Sequence, residues 1–179
     1  ENTIPCSLSG VYQKSNIKTV LQTIEVLKNR GYTISQDNIK NGLLNVENLT
    51  GIRGRWEIIS HKPKIICDIA HNKDALCLII DQLMKERFQN LHMVIGFVND
   101  KSVEDLVSIF PRQAYYYFCK PDIERGIESN QLKDIFLKRN YRGKAYLSVR
   151  DALTAAKSQS LESDLIFVGG STFVVSEVI

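Results

Sequence analysis

Ile65-Ile66-Cys67-Asp68-Ile69-Ala70-His71-Asn72-Lys73-Asp74 is the stretch whose reading decides the fold. An apolar run meets an acid at Asp68, and Ile69-Ala70 then leads into the polar cluster His71–Asp74. A helical pattern follows from Ala75 to Met84. Together these describe a buried strand that ends in polar groups where a helix begins. In open α/β sheets ligands sit at the carboxyl ends of the strands. A helix start adds unpaired N–H groups and a positive dipole end, which suit phosphate or carboxylate. A plainer account stands beside this one: Asn72 or Asp74 caps the helix, and His71 is an ordinary loop histidine.

Outward from this stretch the pattern is regular. Downstream, the expected strands are Leu91–Val98, Ala114–Cys119, Ala145–Leu147 and Leu165–Val168. They alternate with helices expected near residues 72–87, 102–109, 129–140 and 149–160, with Ser148 as a cap. The tail Thr172–Ile179 follows a Gly-Gly turn and is expected as a helix despite its β propensity. Upstream, Trp56–Ser60 reads as a strand. Leu49–Arg55, with two glycines and two arginines and no apolar period, reads as a linker. Before it, Ile17, Val20, Leu21, Ile24 and Leu27 mark an amphipathic helix stopped at Gly31. A second helix starts near Ser35 with Ile39, Leu43 and Leu44 on its apolar face. Strands alternating with helices from residue 56 onward imply an α/β fold, Rossmann-like, with a mostly parallel sheet, helices on both faces and a short helical segment in front. The expected divisions are residues 1–50, a linker at 51–55, and a domain over 56–179. The strand ends at Asp68–His71, Asn99–Lys101 and Gly169–Ser171 are expected to gather along one edge.

Composition narrows the function classes. The chain has 179 residues, 44% hydrophobic and 24% charged, enough for one domain with a proper core and an appendage. Twenty-three Lys and Arg against 20 Asp and Glu give a net charge of +3, with no basic cluster interleaved with aromatics, so no nucleic-acid partner is expected. No apolar run approaches the roughly 20 residues of a membrane span. The chain opens on Glu1 without a methionine and shows no signal peptide, so it is expected to be a piece of a longer protein. Cys6, Cys67, Cys77 and Cys119 are widely spaced, which suits reduced thiols in the cytoplasm and argues against a zinc site.

Five short segments, in order, carry a family resemblance. Leu8-Ser9-Gly10-Val11-Tyr12-Gln13-x-x-Asn16 resembles the G-x-[YH]-Q-x-x-N segment of folylpolyglutamate and dihydrofolate synthases, members of the Mur ligase superfamily. Gly54-Arg55-Trp56-Glu57 is similar to their G-R-[FLW]-E linker, and Asp68-Ile69-Ala70-His71-Asn72 to their D-x-A-H-N motif. Asn99-Asp100-Lys101 and Gly169-Gly170-Ser171 stand where the family has D-K and G-S. The resemblance runs along essentially the whole chain, in the form of the bacterial bifunctional enzymes. One departure is Lys73, where the family often has proline.

The resemblance implies a C-terminal Rossmann-like domain preceded by the last helices of a central ATPase domain. The family's glycine-rich P-loop does not occur in this sequence, so the chain alone is expected to be inactive. The implied reaction joins L-glutamate to a carboxylate of folate or dihydropteroate: ATP phosphorylates that carboxylate, and the amine of glutamate displaces phosphate. By motif position, Asn16 would face the adenine side of ATP, Arg55 and Asp68 would bind ATP, and Asp68 would take ribose hydroxyls. His71 would be the catalytic position, near the γ-phosphate and the incoming glutamate, and Ser171 would help hold that glutamate. Magnesium would be bound mainly outside this chain, with no metal ligands assigned within it. The whole enzyme is expected to be monomeric and cytoplasmic, with no membrane partner. Two other readings stay open: a non-catalytic nucleotide-binding module, and a Mur ligase acting on peptidoglycan precursors. No G-x-G-x-x-G follows an expected strand, which counts against a dinucleotide site.

Overall fold

A computed structural model describes residues 5–99 and 103–179. In chain order its elements are helices α1 (Gln13–Asn29), α2 (Gln36–Leu44) and α3 (Val46–Thr50), strands β1 (Glu57–His61) and β2 (Lys64–Asp68), helix α4 (Lys73–Leu83), strands β3 (Leu91–Ile95) and β4 (Tyr115–Phe118), helix α5 (Ser129–Leu137), strand β5 (Gly143–Ala145), helix α6 (Val149–Gln159), strand β6 (Leu165–Gly169) and helix α7 (Thr172–Ser176).

The strands form one sheet in the order β1-β2-β6-β3-β4-β5. β1 runs antiparallel to β2, and every other neighbour is parallel. β3 and β6 are buried throughout, as strands covered on both faces must be. Alternation along the strands then sorts two cores. Ile66, Phe167, Met93 and Tyr116 lie in one register row and pack with α4 and α5. Ile65, Val94, Ile166, Val168 and Tyr117 face the other way, onto α6 and α7. Helices on both faces of a mostly parallel sheet are the architecture the alternation implied.

Packing decides which helices are firmly held. Leu76, Ile79, Ile80 and Leu83 of α4 are buried, each contributing about 1.5–3 kcal/mol by removal from water. The 17 residues of α1 bury only Gln13. Its apolar stripe of Ile17, Leu21, Ile24 and Leu27 is half-covered, and Val20 and Val26 are exposed.

Several boundaries differ from expectation for identifiable reasons. The second helix breaks at Asn45 and resumes as α3, so Leu49 and Thr50 of the expected linker are helical, and Gly51 is a left-handed C-cap. β1 starts one residue late because Trp56 is left-handed, with φ 54°, and its ring is buried. The helix expected over 102–109 appears as two 3-10 turns, Val103–Asp105 and Val107–Ile109, while Ser102 lies outside the described residues. Val103, Leu106 and Val107 have helical spacing and are buried, so the apolar pattern is used for burial although the backbone winds as 3-10 turns. The strand expected at 145–147 pairs instead over Gly143–Ala145, leaving Leu147 91% exposed. The tail does form helix α7, capped by Ser171. Among the described residues no helix is long and apolar enough to cross a membrane. All four cysteines are free thiols, and burial pushes Cys67 up to about 12, so it stays protonated at neutral pH.

Candidate functional site

The connections leave the central strands in opposite directions. From β2 the chain departs to the face covered by α4; from β6 it departs to the face covered by α7. Adjacent strands with diverging exits open a crevice at their carboxyl ends, where α/β folds take ligands. A cleft of about 150 Å³ lies there, lined by His71, Phe97, Val98, Arg125, Gly170, Ser171, Thr172 and Phe173. Its walls come from the ends of β2, β3 and β6 and from the loop after β4. The edge expected from the strand ends therefore forms, except that Asp100 and Lys101 lie outside the described residues.

His71 is exposed on the rim, with its Nδ1 3.0 Å from the carbonyl of Ile69. A carbonyl only accepts, so Nδ1 carries the proton and Nε2 of the neutral ring is an acceptor. Asn72 caps α4, its side-chain oxygen accepting from the backbone N–H of Ala75 at 2.9 Å. Lys73 is then the first helical residue, where proline is also well placed because that N–H has no partner in the helix. The departure from the family pattern leaves the helix start intact.

Ser171 is buried, and its Oγ accepts from the backbone N–H of Phe173 at 3.2 Å. Before it, Gly170 has φ +93°, and a Cβ there would stand 2.7 Å from the carbonyl oxygen of Gly96. Only glycine meets both demands.

Asp68 and Arg55 stand apart from the cleft lining, at the junction between the linker and the sheet. Asp68 is 1% exposed. Its Oδ2 accepts from the Tyr12 hydroxyl at 2.7 Å and the Trp56 N–H at 2.8 Å, and its Oδ1 accepts from the Ala70 N–H at 2.9 Å. Burial raises its pKa above the usual carboxylate range; the three hydrogen bonds and the Arg55 charge oppose that without cancelling it. Burial, then the Asp68 charge, pushes the Tyr12 hydroxyl far up, so it remains a donor. One carboxylate thus ties together the start of α1, the linker and the end of β2. Gly54 makes this crossing possible: its φ is +71°, its carbonyl accepts from Ile69 N–H at 3.0 Å, and a Cβ would meet Ile69 at 2.8 Å. Arg53 is engaged by Glu57, whereas Arg55 is half-buried and turned toward Asp68 and Tyr12 closely enough to act on both electrostatically. Asn16 is exposed on the first turn of α1, its Nδ2 donating to Gln13 Oε1 at 2.9 Å.

The geometry therefore brings His71 and Ser171 to one cleft, sets Arg55 and Asp68 at the adjoining junction, and places Asn16 on the helix docked there. Sequence reasoning missed Arg125, Phe97 and Phe173 and gave the Tyr12 hydroxyl no role. A charged residue in a loop directly after a strand was the available signal for Arg125. Among the described residues no three His, Cys, Asp or Glu side chains stand together as a metal-ligand set. A larger cleft of about 640 Å³ lies beyond the loop 120–126, lined by Lys120, Asp122, Glu124, Arg150 and Glu177 among others. It mixes charges of both signs and contains none of the motif residues, so size alone does not make it the site.

Fold and site define an α/β domain with a small, partly polar cleft at the carboxyl ends of its central strands. The family model described as Mur ligase, glutamate ligase domain matches residues 54–172. The chain belongs to that family. A protein of Haloferax volcanii named "Probable bifunctional folylpolyglutamate synthase/dihydropteroate synthase" is 30% identical over 173 residues, 95% of this chain and 20% of that protein. The dihydrofolate synthase/folylpolyglutamate synthase of Escherichia coli is 28% identical over 158 residues, 87% of this chain and 35% of that protein. Among solved structures, E. coli FolC in complex with DHPP and ADP has a TM-score of 0.72 at 25% identity, covering 87% of this chain and 36% of that one. Mycobacterium tuberculosis folylpolyglutamate synthase complexed with ADP has a TM-score of 0.81 at 22% identity, covering 97% and 40%, a likeness of fold. The chain thus spans well under half the length of these relatives.

Proposed function

We propose that the chain is the C-terminal portion of an ATP-dependent ligase that adds L-glutamate to a folate or to dihydropteroate through an acyl phosphate, and that it does not turn over alone. The observation that carries this reading is the convergence of His71 and Ser171 on one cleft beside the Arg55–Asp68 junction. The curated relatives named above, and the ADP and DHPP in the E. coli structure, support it. The division follows: residues 1–50 end the central ATPase domain, 51–55 are the linker, and 56–179 are the closing domain. The working enzyme is monomeric and cytoplasmic on this reading.

Each residue then has a physical task. Arg55 supplies a permanent charge to the phosphates. Asp68 exchanges the Tyr12 hydroxyl for a ribose hydroxyl, both being O–H donors of similar strength. Asn16 lies toward the adenine. His71 Nε2 accepts a proton from the glutamate ammonium, freeing the amine for attack. Ser171 donates its hydroxyl to the bound glutamate. The chemistry is mostly positioning and charge neutralisation, so it needs the ATPase portion in place. Magnesium belongs to that portion and would shield the phosphates there.

Turnover tests the reading. The chain alone, and the chain joined to its ATPase portion, are supplied with ATP, glutamate and either dihydropteroate or a reduced folate. Glutamate-dependent release of ADP and phosphate is expected only from the joined form. His71→Ala should lower it by about a hundredfold or more. Tight ATP binding by the chain alone, with no response to glutamate, would make it a self-contained nucleotide module and overturn the proposal.

A further inference from the structure

We propose that Arg125 recognises the side-chain carboxylate of the amino acid held in the cleft, and so sets the preference for glutamate over its amide. The inference rests on the reading above, that the cleft receives the amine substrate. An amino acid that must present its nitrogen to an acyl phosphate places that end at the His71 rim. Its side-chain carboxylate then has to find a partner along the remaining wall. Phe97, Val98, Gly170, Thr172 and Phe173 are neutral, and Arg125 is the only permanently charged side chain among the described lining residues. A carboxylate set against apolar walls without a cation is strongly disfavoured. A guanidinium offers two parallel donors that match both carboxylate oxygens.

The arginine is also well positioned. Its carbonyl accepts from the Asn99 N–H at 2.8 Å, and the Ile127 N–H donates to the Phe97 carbonyl at 2.9 Å. Val98 and Gly126 form a bridge between the same two loops. A Cβ on Gly126 would stand 2.8 Å from the Pro121 carbonyl, so the loop closes tightly just past the arginine. The guanidinium lies over the Phe173 ring, 5.3 Å from its centroid, a cation–π contact that restrains it beside the cleft. The volume, about 150 Å³, suits one amino acid and is well below that of larger ligand pockets.

The test is an amide NMR titration of the chain with L-glutamate and, separately, L-glutamine, on wild type, R125Q and R125K. Wild type should show glutamate-dependent shifts at Gly170 and Ser171 and bind glutamate more tightly than glutamine. R125Q should weaken glutamate by at least about tenfold and leave glutamine unchanged, erasing the preference. R125K should keep part of it, since it retains the charge without the fork, and it serves if R125Q does not fold. An unchanged glutamate-to-glutamine ratio in R125Q overturns the arginine assignment and leaves the ligase reading standing. No glutamate response at Gly170 and Ser171 in wild type overturns the placement of the amine substrate in this cleft, and the arginine assignment with it.

Discussion

At the scale of single residues, the site depends on groups whose environment leaves little choice. Gly170 turns the chain from β6 into α7 with φ +93°, and a Cβ there would stand 2.7 Å from the Gly96 carbonyl oxygen. Alanine there adds left-handed strain to a backbone collision. Gly170→Ala should cost at least about 2 kcal/mol and displace the Ser171 hydroxyl, read as a lowered melting temperature and shifted Ser171 and Thr172 amides. Asp68 shows how a motif residue can hold two tasks. Its three protein donors make it a structural tie, while the Tyr12 hydroxyl is the partner a ligand hydroxyl can replace. That double role was not legible in the sequence: Tyr12 and Asp68 are 56 positions apart, and nothing local announces their contact.

At the scale of elements, α4 and α1 differ in how much apolar surface they bury. α4 is anchored by four buried aliphatic side chains, whereas α1 buries only Gln13 and relies on contacts at its start. Those contacts are the Tyr12–Asp68 hydrogen bond, the pairing of the Val11 N–H with Gln82 Oε1 at 2.7 Å, and the Gln82 Nε2 donation to the Ser9 carbonyl at 3.4 Å. Tyr12→Phe removes the first of these. It should destabilise the docking of residues 12–29 by about 1–2 kcal/mol, because a hydrogen bond to a carboxylate is lost. Hydrogen exchange would show this as faster exchange in α1 with β3 and β6 unchanged; equal protection in both proteins would mean α1 is held by something else. The helices were the most legible elements, since caps at Ser35 and Ser148 and apolar spacing are local signals. The segment after β3 differs from expectation because spacing of buried apolar residues at three and four positions fits both α-helical and 3-10 winding.

At the scale of the whole molecule, the two edges of the sheet divide their work. The carboxyl edge carries the cleft. The amino edge carries a buried polar network in which His92 bridges the Tyr117 hydroxyl at 2.9 Å and Asp164 at 3.3 Å. His92 lies outside the motif segments, and its contacts tie β3 to β4 and to the residue just before β6. Asp164 also accepts from the backbone N–H groups of Asn90 and Leu161. Burial pushes the Asp164 carboxyl up, but these donors outweigh it and hold it below the usual range. A depressed carboxyl stabilises the fold above its unfolded pKa of about 4, and that contribution is lost as pH falls through the lower, folded value. Asp164→Asn should therefore be clearly less stable than wild type at neutral pH, with the gap narrowing under acid. Denaturant melts at several pH values check this, and a gap that widens toward low pH would contradict the sign.

The sequence alone determined the α/β class, the alternation of elements and the position of the polar strand end, because periodicity, caps and turn residues act over a few neighbouring positions. With the motif order it also nominated His71, Ser171, Asp68, Arg55 and Asn16. Only the tertiary structure decided that β6 inserts between β2 and β3, and hence that His71 and Ser171, a hundred positions apart, share one cleft. It alone brought Arg125 into that cleft and set Tyr12 on Asp68. These are long-range packing outcomes: strand order and loop closure are settled by burying two apolar faces at once, and no local stretch of chain contains that information.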